Sequence, residues 1–191
     1  MPDTRNTSFD YVVIGSGAAG SVVAARLAEA KMGSVCVVEA GGDNNRLMVK
    51  VPAGFVRNLN KPELMWQFGS VAGENTAGRS VYIPQGKLLG GSTSINGMVY
   101  NRGQRDDFDH WGALGNPGWS YQDVLPYFRK SERFDGPASQ ARGANGPLCI
   151  GRPEQPNPLC DAFTQSVSAL ANAPIDNDYN GETQFGTGYY Q

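Results

Sequence analysis

Long apolar runs, basic clusters, closely spaced cysteines and histidines are all scarce in this sequence. No stretch approaches the roughly 20 apolar residues a membrane helix needs, so no transmembrane segment is expected. Sixteen Lys and Arg against eighteen Asp and Glu give a net charge of -2, with no basic stretch. This balance lacks the electrostatic footprint of a nucleic-acid binder and points to a small-molecule partner. Cys36, Cys149 and Cys160 are odd in number and widely spaced. They exclude a disulfide scaffold and show none of the short spacings that hold zinc; free thiols in a reducing compartment are expected. Met1 to Asp10 is polar, without the basic and apolar regions of a secretory leader, so the expected location is cytoplasmic.

What is present is a turn-rich globular composition: 40% hydrophobic residues, 25 glycines and 12 prolines in 191 residues. That length holds one domain, or one domain and the start of a second. Phe9 to Ile14 is a short apolar run ending in glycines, the pattern of a strand buried on both faces of a parallel sheet. Ala18 to Ala30 is rich in helix formers and stops before Gly33. Val35 to Glu39 reads as a second buried strand, completing a βαβ unit.

Residues 41 to 85 show no sustained period and predict a loop-rich excursion, with short strands at Leu64–Val71 and Ser80–Ile83. Irregular segments of this length usually cover ligands. A helix is predicted over Asp106–Leu114, and another from Ser120, where Ser-x-x-Asp can cap free amides with Ser120 and Asp123. Pro126 lacks the amide that would bond Gln122, predicting a bend or a short first turn. Residues 136 to 158, full of Gly and Pro, read as a connection between domains. Asn157-Pro158 then starts an amphipathic helix to about Ala171, with Leu159, Phe163, Val167 and Leu170 on one face.

Gly15-Ser-Gly17-Ala18-Ala19-Gly20 is a GxGxxG motif between a strand and a helix. Gly15 permits the tight turn, Gly17 leaves room for a pyrophosphate, and Gly20 lets helix and strand pack closely. The free amides of the helix start face the phosphates. Glu39, at the end of the second strand, is placed to accept hydrogen bonds from ribose hydroxyls. The motif alone does not separate FAD from NAD, since both have an ADP half.

A second segment does. Gly86-Lys-Leu88-Leu-Gly90-Gly91-Ser92-Thr93-Ser-Ile95-Asn96-Gly97-Met98-Val99-Tyr-Asn-Arg102-Gly103 resembles the glycine-rich signature of the glucose-methanol-choline (GMC) oxidoreductases, which use FAD. Val38 to Gly42, Trp66, Asp107 to Trp111, Gly118-Trp119, Val124 to Phe128, Gly146-Pro147 and Asp178 to Gly181 are similar to further landmarks in family order. The resemblance implies an α/β fold: a Rossmann-like FAD-binding domain, noncontiguous and incomplete in this chain, with the start of an α+β substrate domain. Residues 1–150 would form the FAD-binding domain, with a flavin-covering lid at about 42–100, and 151–191 would open the substrate domain.

Carried over by position, the resemblance implies that Gly15, Gly17 and Gly20 hold the pyrophosphate, Glu39 the ribose, and Leu88, Ser92 and Asn96, Gly97, Met98 and Val99 the isoalloxazine. Ala18, Ala19, Ala40, Trp66, Gly90 and Gly91 complete the expected cofactor-binding set, although tryptophans such as Trp66 and Trp111 more often serve the core. Ser92 and Thr93 lack the base and acid that a nucleophile needs and read as hydrogen-bond partners. Ile95 stands where some members carry the histidine that tethers FAD, so FAD is expected to be non-covalent. The family's catalytic histidine lies near the far C-terminus and is absent here. His110, the one histidine, falls in an acidic surface helix and reads as solvated or capping, leaving no catalytic residue in this chain. Arg102 and Arg105 read as a salt-bridged approach to that helix, with Arg102 alternatively turned toward the flavin loop.

The implied function is that of the N-terminal part of an alcohol oxidase or dehydrogenase, passing hydride from a primary alcohol to flavin and electrons to oxygen or another acceptor. The expected partners are the alcohol and the C-terminal remainder of the enzyme as a second chain. The alternatives are an FAD-containing hydroxynitrile lyase or fatty-acid photodecarboxylase of the same fold, and a nucleotide-binding module without catalysis.

Overall fold

The computed structural model describes residues 8–175 and 178–191, so most of the polar start, residues 1–7, lies outside the described residues. The chain divides into two compact units, residues 1–98 and 99–191. Among the described residues no helix is long and apolar enough to cross a membrane.

In the first unit, β1 (Tyr11–Ile14), α1 (Ala18–Glu29) and β2 (Val35–Val38) form the βαβ unit expected from the sequence. The strands are parallel, with Tyr11 opposite Val35 and Ile14 opposite Val38. Ser34 fixes that register: its amide and hydroxyl both donate to Asp10 Oδ2 at 2.7 Å, and the Asp10 amide donates back to Ser34 Oγ. Burial departs from expectation, because Val12 and Val38 are half exposed and Ile14 is 86% exposed. Among the described residues this sheet has two strands.

The excursion that follows is more ordered than its composition suggests. Two short helices, α2 (Leu47–Lys50) and α3 (Gly54–Asn58), precede β3 (Met65–Gly69) and β4 (Tyr82–Gly86). Helices of this length show no readable period, and Pro52 and Gly54 mask them. Gly54 is required by packing, since a Cβ there would lie 2.1 Å from the Met48 carbonyl oxygen. Strands β3 and β4 pair antiparallel, with Trp66 opposite Gln85. Beneath them Leu64, Met65, Leu88 and Ile95 make the buried cluster of this unit, with Val49 against it.

In the second unit, α4 (Arg105–Ala113) and α5 (Tyr121–Ser131) are joined by a tight turn. Phe108 packs its ring against Trp111, Tyr121 and Phe128. The Ser120–Asp123 capping box forms as expected. Helix α5 does not stop at its first turn: it continues past Pro126 to Ser131. Gln122 and Pro126 are both exposed, so water can take the place of the missing amide. The segment read as a connection contains β6 (Leu148–Ile150), parallel to β5 (Glu132–Phe134). Residue 150 is thus the last of a strand inside the second unit.

Helix α6 (Pro158–Ala171) starts as expected, with Asn157 Oδ1 accepting the Leu159 amide at 2.9 Å. Its apolar stripe is largely uncovered, Leu159, Phe163 and Leu170 being 77%, 68% and 88% exposed. The unit is held by a buried ionic network instead. Glu132, fully buried, accepts the Gly143 amide at 2.6 Å, and the same carboxylate oxygen is ion-paired by distance with Arg102 at 2.7 Å and Arg142 at 3.3 Å. Arg142 also reaches Asp178, and Asn180 accepts the Arg102 amide.

Candidate functional site

The glycine motif lies at the carboxyl end of β1, where Gly15 takes φ +86° and its amide bonds the Val38 carbonyl at 2.8 Å. This positive φ is open to glycine at no steric cost. Gly17 then caps α1, and a Cβ on either Gly15 or Gly17 would meet nothing within 4 Å. Gly20 is the opposite case: its Cβ would lie 1.9 Å from the Gly15 carbonyl oxygen, so helix and turn touch backbone to backbone. The first two glycines leave open space and the third closes a contact.

Glu39 follows β2. Its Oε2 accepts the Ser16 hydroxyl at 2.7 Å and the Ser16 amide at 2.8 Å, and its Oε1 accepts the Gly41 amide at 3.0 Å. The Ser16 hydroxyl above all, then the Ser16 and Gly41 amides, holds the Glu39 carboxyl below the usual carboxylate range. The side chain is therefore an oriented anion at neutral pH, with lone pairs left to accept from a ligand.

The second glycine segment folds against the first. The Gly90 amide donates to Ser16 Oγ at 3.1 Å, and the Leu89 amide to the Gly42 carbonyl at 2.9 Å. A Cβ on Gly91 would stand 2.8 Å from Gly17 Cα. Residues Gly91–Ser94 form a single 3-10 turn, with Ser92 Oγ accepting the Gly86 amide at 2.9 Å. Between these parts lies an open cavity of about 500 Å³.

The cavity is lined by Gly15, Gly17, Ala18, Glu39, Ala40, Trp66, Gly91 and Ser92 from the expected set. Trp66 forms part of its wall, with the Lys87 ammonium 4.3 Å from its ring centroid. Other expected residues lie elsewhere. Ala19 continues the first turn of α1, Gly20 sits behind it against Gly15, and Gly90 bonds Ser16. Leu88 is fully buried in the core beside Ile95. Asn96 and Met98 border a smaller cavity of about 180 Å³ with Phe55, and a Cβ on Gly97 would stand 3.8 Å from the same ring. Val99 opens the second unit.

Sequence reasoning missed Ser16 and Gln85, and it placed Gly86 and Thr93 in the second glycine segment without assigning them to the cofactor site. The last three line the cavity, and Ser16 ties its parts together. Ser16 fills a variable position of the motif, so no spacing rule singled it out. Arg102 corrects its expectation: it is buried and paired with Glu132, not with the acids of α4. Arg105 stacks over Tyr121 at 4.6 Å. His110 is exposed on α4 and does not line the cavity. Another cavity of about 500 Å³ lies in the second unit, between Arg102, Arg105, Tyr121 and residues 180–185.

Open backbone at Gly15 and Gly17, a helix N-terminus behind it and an oriented carboxylate beside it fit a pyrophosphate-linked adenosine, as FAD requires. Comparison with known proteins agrees. Oxygen-dependent choline dehydrogenase of Brucella ovis is 45% identical over 179 residues, covering 94% of this chain and 32% of that protein. Pyridoxine 4-oxidase from Mesorbium loti superposes with a TM-score of 0.84 at 31% identity, over 94% of this chain and 35% of that one. An FAD-dependent oxidoreductase from Chaetomium thermophilum superposes with a TM-score of 0.74 at 33% identity, over 85% of this chain and 30% of that one. The chain thus spans about a third of the length of the relatives it matches. The sequence model of the GMC oxidoreductases matches residues 9–191, and the chain belongs to that family.

Proposed function

We propose that this chain is the FAD-holding part of an oxidoreductase that takes hydride from the carbon of a primary alcohol. The observation that carries the reading is the convergence of both glycine segments and the ionised Glu39 on one cavity of about 500 Å³. When bound, FAD supplies the hydride acceptor. Gly15 and Gly17 present bare backbone to the pyrophosphate, the start of α1 faces it with free amides, and Glu39 accepts from the ribose. Ser92 and Trp66, which line the cavity, are assigned to the isoalloxazine, and Asn96, Gly97, Met98 and Val99 are assigned to it on the family resemblance, Asn96 and Met98 bordering the smaller cavity. Leu88 supports this segment from the core.

Attachment of the flavin is non-covalent in this reading. Ile95, at the position where a tether would form, is a hydrocarbon side chain buried at 5% exposure beside Leu88. Residues 1–150 serve FAD, with 42–100 as the lid, and 151–191 begin the substrate-binding part. The base that removes the alcohol proton comes from polypeptide beyond these residues, as the family resemblance implies, and His110 is exposed on α4. The same further polypeptide provides the substrate pocket. Choline and pyridoxine, named for two of the relatives, both carry a primary alcohol. A cytoplasmic location fits the three free thiols.

Two titrations test this. The chain should quench added FAD stoichiometrically and ignore NAD. The longer protein, loaded with FAD, should lose its oxidised-flavin absorption on anaerobic addition of a primary alcohol. Retention of the oxidised spectrum with every primary alcohol tried would favour a lyase or photochemical role for the same fold, and failure to bind FAD would remove the reading altogether.

A further inference from the structure

Ser16 is 6% exposed and stands between two glycines that have no side chain of their own. Its hydroxyl donates to Glu39 Oε2 at 2.7 Å and accepts from the Gly90 amide at 3.1 Å, joining residues 23 and 74 positions away. Its amide donates to the same Glu39 oxygen at 2.8 Å. A glutamate after a strand end has three side-chain torsions to lose on binding. Here two bonds on Oε2 and the Gly41 amide on Oε1 select one arrangement beforehand. Binding then meets a smaller ordering cost.

We propose that Ser16 is a positioning residue for the adenosine end of FAD, its hydroxyl setting the ribose acceptor Glu39 and the second glycine segment in one network. The inference deepens the FAD reading and rests on it. Ser16 acts mainly through Glu39, so most of its effect on ligand binding is lost when Glu39 is removed, and the bond from the Gly90 amide accounts for the remainder. A serine that merely fastens β2 to the turn would instead change stability and leave binding indifferent to Glu39.

The experiment is a double-mutant cycle read by calorimetric titration of the chain with FAD and with ADP. Ser16→Ala is expected to weaken both ligands about tenfold, the usual effect of losing a hydrogen bond to a charged group. In a Glu39→Ala background the same change should alter affinity by less than about twofold. Ser16→Thr, which restores a hydroxyl, should recover most of the loss. Unchanged FAD affinity in Ser16→Ala, or an equal loss with and without Glu39, would overturn the proposal while leaving the FAD reading intact. Should Ser16→Ala fail to fold, Ser16→Gly gives the same reading with one atom fewer to place. Unfolding of both variants would mark a fastening role and overturn positioning. A parent chain that binds neither FAD nor ADP overturns the FAD reading and the proposal with it.

Discussion

At the scale of single residues, the two kinds of glycine in the first motif behave oppositely. Gly20→Ala places a Cβ 1.9 Å from a backbone oxygen that cannot rotate away. The β1–α1 turn must open, and such overpacking costs about 1–3 kcal/mol. We expect a lower melting temperature and weakened FAD binding together. Gly17→Ala meets no atom of the protein, so it should leave the melting temperature of the FAD-free chain nearly unchanged and still impair FAD binding. Thermal unfolding with and without FAD separates the two.

Glu39 sets a pH dependence at the same scale. Its carboxyl is held below the ordinary value by the Ser16 hydroxyl and the Ser16 and Gly41 amides. A depressed folded-state pKa contributes stability above the ordinary pKa of about 4.3, lost as pH falls through the folded value. FAD affinity, since the diester pyrophosphate of FAD does not titrate in this range, should therefore be flat from neutrality down to about pH 5 and fall below the ordinary carboxylate pKa. In Ser16→Ala the fall should begin at higher pH, because the leading cause of the depression is gone. Titration across that range checks the sign.

At the scale of elements, α5 and its flanks depend on groups far apart in sequence. Ser120→Ala removes the hydroxyl that accepts the Asp123 amide and should cost about 1 kcal/mol in urea unfolding. Glu132→Gln is the more severe change. It withdraws the charge that both Arg102 and Arg142 face with side chains 3% and 1% exposed. Breaking a buried pair of this kind costs about 3–5 kcal/mol, and here Arg102 loses its anion while Arg142 keeps Asp178. The second unit should unfold early in urea, seen as loss of tryptophan fluorescence from Trp111 and Trp119, whose rings meet at 5.7 Å.

Legibility also divided at this scale. Elements with local signatures were readable: β1, α1 and β2 from their glycine punctuation, α5 from its capping box, α6 from Asn157-Pro158. Elements made by distant partners were not. Helices α2 and α3 have four and five residues and no period, and β6 is a three-residue strand set among glycines and prolines. Arg102 lies three positions before a helix rich in acids, and local spacing suggested those as partners. Glu132, thirty positions on, won because it is fully buried and can be reached only through the fold.

At the scale of the whole molecule, apolar surface is the outstanding feature. Ile14 is 86% exposed on β1 and Leu170 88% exposed on α6, and exposed apolar surface favours association. Charged substitutions there, Ile14→Lys with Leu170→Glu, should leave the melting temperature of this chain almost unchanged and suppress its self-association in light scattering. Insolubility persisting in the double variant would place the sticky surface elsewhere.

The sequence by itself determined the βαβ unit, the glycine motif with its terminal Glu39 and the family resemblance, because each rests on residue types at short, regular spacings. Tertiary structure alone decided which expected residues share the cavity. It set Leu88 and Ile95 in the core, moved Asn96 and Met98 to a smaller cavity, and joined Ser16, Glu39 and Gly90 across 74 residues of chain. Such a junction depends on where the folded backbone returns, and no local periodicity records that return.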